Sequence, residues 1–135
     1  MPLEYTPTHG RLKGIIVTQP TPKITPADVE RIVRRDYPAH RVDEVHAMLS
    51  EYGGEDWHPE VDRVRLAILK LTAGNLEELR MHIEIAKRDF RDVLSVAEYP
   101  AYTKKWLRID TLPADEQQRI IDADWKQYED WLKRK

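Results

Sequence analysis

Two histidine–carboxylate pairings are the first places in this chain where chemistry could be done. Asp43 stands three residues before His46, and Glu78 stands four before His82, so on a helix each pair shares a face. Imidazole and carboxylate together suit a divalent transition metal. If the two helices were neighbours, Asp43, His46, Glu78 and His82 could meet and serve a small metal-dependent enzyme. The fit to carboxylate-bridged bundles is partial. Those repeat Glu-x-x-His on two helices, whereas here Asp-x-x-His occurs once and the second pair is spaced differently. The same residues also fit a blander arrangement, with both histidines at the edge of a core or on a solvated face. His9 and His40 have no carboxylate at a patterned spacing.

Other reaction types find less to work with. The chain has no cysteine, which removes disulfides, thiolate zinc sites, iron–sulfur clusters and thiol nucleophiles. Ser50, Ser95 and Thr103 are the hydroxyls nearest a turn or helix end, and none sits in a Gly-x-Ser-x-Gly elbow. Gly53-Gly54 is followed by acids rather than by the Lys-Ser or Lys-Thr of a phosphate loop. The surrounding stretch YGGEDWHPE, residues 52–60, reads as a corner between helices. Gly53 suits the left-handed position that closes a helix, and Pro59 suits the first position of the next. That places His58 at the N-cap, with Trp57 folding back on Val61 or on another helix. Glu55 and Asp56 gain from the positive end of the helix without any catalytic role.

The elements that would position these residues are helical. A chain of 135 residues points to one domain. Its 41% apolar content allows a core, and its 34% charged content exceeds the usual quarter, as a heavily solvated surface requires. The 24 acids and 22 bases leave a formal charge of −2, which gives no global attraction to nucleic acid or anionic lipid. No apolar run resembles a signal peptide or is long enough to span a bilayer, and a reducing cytoplasm is the compartment that best fits a cysteine-free chain.

Residues 1–24 hold Pro2, Pro7, Pro20 and Pro22 and form an irregular arm. Ile15-Ile16-Val17 is its one β-like stretch, a short extended strand that needs a partner edge. Helical grammar starts at Thr25, an N-cap followed by Pro26, and Val29, Ile32 and Val33 give one apolar face. A second helix spans about 39–52 on a stripe of Val42, Val45, Leu49 and Tyr52. The third, Pro59 to about Thr72, is apolar enough to be covered on more than one side. The fourth opens on a capping box of Asn75 and Glu78. It then steps through Leu76, Leu79, Ile83, Ala86, Phe90, Val93 and Ala97 by threes and fours, which is a bundle seam. YPAYTKKWL forms a short aromatic helix after the break at Pro100. A last helix runs from about Pro113 on Ile121, Trp125, Tyr128 and Leu132. The pattern predicts an all-α fold, a bundle of four longer helices plus one or two short ones, with 25–135 as a single helical domain behind the arm.

With helical grammar throughout and no catalytic motif, the favoured function is a non-enzymatic module for protein interaction or self-association. No cofactor is expected, and partners are a protein or a second copy rather than a membrane. The aromatic C-terminal region, Trp106, Trp125, Tyr128 and Trp131, supplies the contact surface, because Trp and Tyr are amphipathic and enriched at interfaces. The metal-dependent enzyme above is one alternative. Nucleic-acid binding is another, through Arg31, Arg34 and Arg35, through Arg80, Lys87 and Arg91, and through the mixed run Tyr102, Lys104, Lys105, Trp106.

Overall fold

A computed structural model describes residues 17–135, and every regular element in it is helical. His9 and most of the expected strand, Ile15 and Ile16, lie outside the described residues. The order is α1 (Pro26–Asp36), a 3-10 turn at Ala39–Arg41, α2 (Val42–Leu49), α3 (Val61–Thr72), α4 (Leu76–Arg88), α5 (Phe90–Glu98), α6 (Pro100–Lys104), a second 3-10 turn at Ile109–Thr111, and α7 (Ala114–Lys133). No helix among the described residues is long and apolar enough to cross a membrane. By its internal packing the chain divides into two compact units. Among the described residues, one joins 17–23 to Glu98–Arg134, and the other is Ile24–Ala97.

Within Ile24–Ala97, α1 packs on α2 and α3, and α4 packs on the same two, so four helices close a circuit around one core. Their starts follow local chemistry. The Thr25 hydroxyl accepts from the Asp28 N–H at 3.4 Å, and the Asp28 carboxylate accepts from the Thr25 N–H at 3.0 Å. Asn75 caps α4 by accepting from the Glu78 N–H at 2.9 Å, while its own N–H donates to the Thr72 carbonyl. Val29, Ile32 and Val33 of α1 are buried as their spacing implies, as are Val42, Val45, Leu49 and Tyr52. Four consecutive α3 residues, Leu66 to Leu69, are fully buried, so this helix is covered on more than one side.

Two boundaries differ from the pattern. The expected fourth helix divides at Asp89, which is extended at φ −152°. Its carboxylate accepts from the Arg91 N–H at 3.1 Å, starting α5 in the manner of an N-cap. A short acid that can bond the backbone two residues on competes with helix continuation, and the unbroken hydrophobic period hides this. The third helix starts at Val61 rather than Pro59, because Glu60 adopts a left-handed conformation at φ +54°. His58 is therefore not its N-cap.

The other unit is built on α7. Its buried face is Ala114, Gln117, Ile121, Asp124, Tyr128 and Trp131, spaced three and four apart. The face expected from Ile121, Trp125, Tyr128 and Leu132 is rotated from this one, because two polar residues occupy seam positions. Asp124 accepts from the N–H groups of Ala101 at 3.2 Å and Tyr102 at 2.8 Å, which covers the exposed donors at the start of α6. Gln117 donates to the Leu112 carbonyl at 2.9 Å. Ile121 and Ala114 join Val17, Tyr99, Tyr102 and Ile109 in one apolar cluster, with Leu112, Ile120 and Trp125 against it. The arm residues enter through Val17 and through Thr18, whose N–H and carbonyl both bond the Gln118 side chain at 3.0 Å. A glutamine amide thus supplies the partner that the extended arm needs, and Tyr99 donates its hydroxyl to the Pro20 carbonyl.

The glycine pair at the corner makes opposite demands. Gly53 has φ +106°, and an added Cβ would lie 2.7 Å from both Arg65 Nη2 and Val61 Cγ1. The nearest atoms to a Cβ at Gly54 are carbonyl oxygens at 3.5 and 3.6 Å, an ordinary contact. In urea unfolding, Gly53→Ala is expected to cost about 2 kcal/mol and Gly54→Ala to stay within about 0.5 kcal/mol of the parent. Equal effects would contradict this placement.

Candidate functional site

The four residues of the metal reading are placed separately. α2 does pack on α4, which meets the condition for Asp43, His46, Glu78 and His82 to meet. Yet among the described residues no group of three or more His, Cys, Asp or Glu side chains lies where it could hold a metal ion. His46 pairs instead with Glu30 of α1, Nε2 to Oε1 at 3.1 Å. Partial burial works against the Glu30 charge, but hydrogen bonds from Arg34 and His46 outweigh it and hold the carboxyl below its ordinary range. His82 bonds back along its own helix, Nδ1 to the Glu78 carbonyl at 2.9 Å. Asp43 is exposed. Sequence spacing favours partners on the same helix, and the Glu30 pairing across helices leaves no such trace.

The YGGEDWHPE stretch is a corner closed from inside. His58 is buried, and its Nδ1 accepts from the Gly53 N–H at 2.8 Å and the Glu55 N–H at 3.4 Å. Its ring stacks on Tyr52 at 4.6 Å with 12° between planes, and Trp57 meets it edge-on at 4.4 Å. Trp57 itself is 68% exposed, so it does not fold under a neighbouring helix as the staple pattern suggests. Tyr52 donates its hydroxyl to the Pro59 carbonyl at 2.7 Å. Arg65 of α3 donates Nε to the carbonyls of Leu49 and Tyr52 at 3.1 and 2.9 Å, satisfying acceptors left over where α2 ends. Burial lowers the Arg65 guanidinium from its ordinary value, opposed by Asp62. Tyr52, His58 and Arg65 of the corner thus each answer a backbone group.

The basic faces weighed for nucleic acid are largely neutralised by neighbours. Arg34 pairs with Glu30 and Arg35 with Asp36. Lys87 reaches Glu84 at 2.9 Å and Glu51 at 3.4 Å, and Arg91 reaches Asp89 at 3.4 Å. Tyr102 is buried and offers no stacking face.

The aromatic C-terminal set is also divided. Tyr128 and Trp131 are buried and contact each other at 5.7 Å between ring centroids. Trp125 is half-buried against the apolar cluster. Of the four, Trp106 alone faces solvent, at 61% exposure, and beside it Leu107 is 78% exposed. The seam through Gln117 and Asp124 turns Tyr128 and Trp131 inward, so one continuous aromatic surface does not form. Leu107 belongs with Trp106. Its clue was its place in the polar run KKWLR, where it matches no helical stripe.

The turn carrying these two residues is pinned at both ends. Tyr102 is buried before it and Ile109 after it. Between them the Lys105 N–H bonds the Tyr102 carbonyl at 3.1 Å, Trp106 that of Thr103 at 3.2 Å, and Arg108 that of Lys105 at 2.8 Å. Beside the exposed pair lies a recess of about 260 Å³ lined by Lys105, Arg108, Thr111, Leu112 and Glu116. It falls below the roughly 300–1,000 Å³ of small-molecule sites. The Thr111 hydroxyl donates to the Arg108 carbonyl at 2.6 Å, which occupies the one hydroxyl on its wall.

No protein-family model, curated protein or solved structure matches the chain.

The corner yields a pH test. Burial, with Glu60 adding to it, pushes the Tyr52 phenol up to about 12, against roughly 10 in an unfolded chain. The folded state therefore holds this proton more tightly. The corresponding stability is complete below about pH 10 and is lost as pH rises towards 12. Urea unfolding at stepped pH should show a steeper alkaline loss for the parent than for Tyr52→Phe. Parallel curves would show that Tyr52 titrates normally. At neutral pH, His58→Ala should cost about 2–3 kcal/mol, since it strands the Gly53 N–H and removes the stack.

Proposed function

We propose that this chain is a non-enzymatic helical contact module that binds a protein partner or a second copy of itself through the Lys104–Arg108 turn. The observation that supports this reading is the adjacent, solvent-facing pair Trp106 and Leu107 on a turn fixed between two buried residues. Covering an exposed side chain of this size is worth about 1.5–3 kcal/mol, and Trp is a frequent centre of interface energy. The short connected turns hold the pair in place before binding, which lowers the ordering cost of association. Trp125, Tyr128 and Trp131 act behind this surface as the packing that fixes α7.

The test compares the parent with a Trp106→Ser, Leu107→Ser double variant. Light scattering over a concentration series reports self-association, and affinity capture reports partners. The variant should keep its unfolding free energy within about 0.5 kcal/mol of the parent, as surface substitutions do, and lose whichever association the parent makes. A strictly monomeric parent whose captured proteins match those of the variant would remove the reading.

A further inference from the structure

The charge around Trp106 and Leu107 goes further than the apolar pair alone. Many cations elsewhere sit against acids of their own chain, among them Arg41 against Glu44 at 2.7 Å, Lys126 against Asp130 at 3.1 Å, and Lys87 against Glu84 at 2.9 Å, and the unpaired Arg80 and Arg88 do not flank an exposed apolar pair. At the turn, Lys104, Lys105 and Arg108 are exposed and consecutive around the apolar pair, and none forms an ion pair among the described residues. Lys105 and Arg108 also wall the recess beside Leu112. A chain of net charge −2 thus presents a local positive collar around an apolar tip and a side-chain-sized hollow.

We infer that the occupant of this surface is an acidic protein segment, one that sets a carboxylate over Lys105 and Arg108 and an apolar side chain against Trp106, Leu107 and Leu112. This rests on the contact reading above and names the partner's chemistry. Arg and Lys meeting carboxylates around an aromatic anchor is a common interface arrangement, with the charges fixing orientation and the anchor supplying affinity. A single-stranded nucleic acid fits less well. Strand-binding grooves stack successive bases on several aromatic faces, and Trp106 stands here without Tyr102, which is buried. A bilayer surface fits the exposed Trp–Leu pair, but it is too flat to use the recess. A protein side chain enters it.

The experiment uses the full chain and four probes: a short labelled peptide alternating glutamate and leucine, its lysine–leucine counterpart, an oligo-dT strand, and phosphatidylserine-containing vesicles. The acidic peptide should bind most tightly and more weakly as salt rises. A Lys105→Glu, Arg108→Glu double variant and, separately, Trp106→Ala should each weaken it by roughly tenfold or more. The inference is overturned if the lysine–leucine peptide binds equally well, if the strand or the vesicles bind more tightly, or if charge reversal changes nothing. The two readings fail differently. If Trp106→Ser, Leu107→Ser abolishes an association that Lys105→Glu, Arg108→Glu leaves intact, the contact surface stands and the acidic partner falls. If neither variant alters any association, the contact reading itself is lost.

Discussion

A buried carboxylate decides how the C-terminal part of this protein is laid out. Asp124 is almost wholly removed from water, and its oxygens accept from the Ala101 and Tyr102 N–H groups. A helix start leaves donors without intrahelical partners, and a short segment such as Pro100–Lys104 has few other ways to satisfy them. Burying a carboxylate is costly unless it is hydrogen-bonded, so the bond and the burial require each other. Together they set the rotation of α7, because Asp124 must face α6. Tyr128 and Trp131, four and seven residues on, then face inward with it.

The same constraint recurs wherever the chain leaves regular structure. Gly53 and Glu55 give their N–H groups to His58, Leu49 and Tyr52 give their carbonyls to Arg65, Leu112 gives its carbonyl to Gln117, and Thr18 gives both groups to Gln118. Side chains that look like catalytic candidates by type, an imidazole, a guanidinium and a buried carboxylate, are occupied with main-chain atoms. An unsatisfied buried backbone group costs about 1–3 kcal/mol. Backbone satisfaction thus gives each of these residues a role in stability.

The helical faces of Ile24–Ala97 were legible because one physical signal dominates there. Val29, Ile32 and Val33, or Val45, Leu49 and Tyr52, recur at the helical period and are buried accordingly. What escaped the pattern is chemistry that a period does not record. The break at Asp89 depends on a carboxylate reaching one N–H, and the late start of α3 on Glu60 adopting a left-handed backbone. On α7, Ile121 and Tyr128 are buried as their spacing implies, but Gln117, Asp124 and Trp131 complete the seam in place of Trp125 and Leu132. The buried roles of Gln117 and Asp124 depend on backbone partners that no period records. The Lys104–Arg108 turn was visible as a mixture of bases and aromatics, but which aromatics faced outward depended on that seam. The pairing of His46 with Glu30 joins residues sixteen positions apart on different helices, beyond the reach of any spacing rule.

Charge placement distinguishes the Lys104–Arg108 turn from the solvated faces of the other helices. On α1 and α4 several cations sit against carboxylates, as in Arg34 with Glu30, Arg35 with Asp36, and Lys87 with Glu84 and Glu51. Exposed pairs of this kind are worth only about 0–1 kcal/mol each, yet they cancel the local field and leave those faces without attraction for a charged ligand. Lys104, Lys105 and Arg108 lack that cancellation and flank the most exposed apolar pair of the C-terminal unit. Self-repulsion among three clustered cations opposes folding, and two uncovered apolar side chains add nothing to it. On the proposed reading, an acidic partner would relieve both at once, by bringing opposite charge and removing apolar surface from water in the same contact.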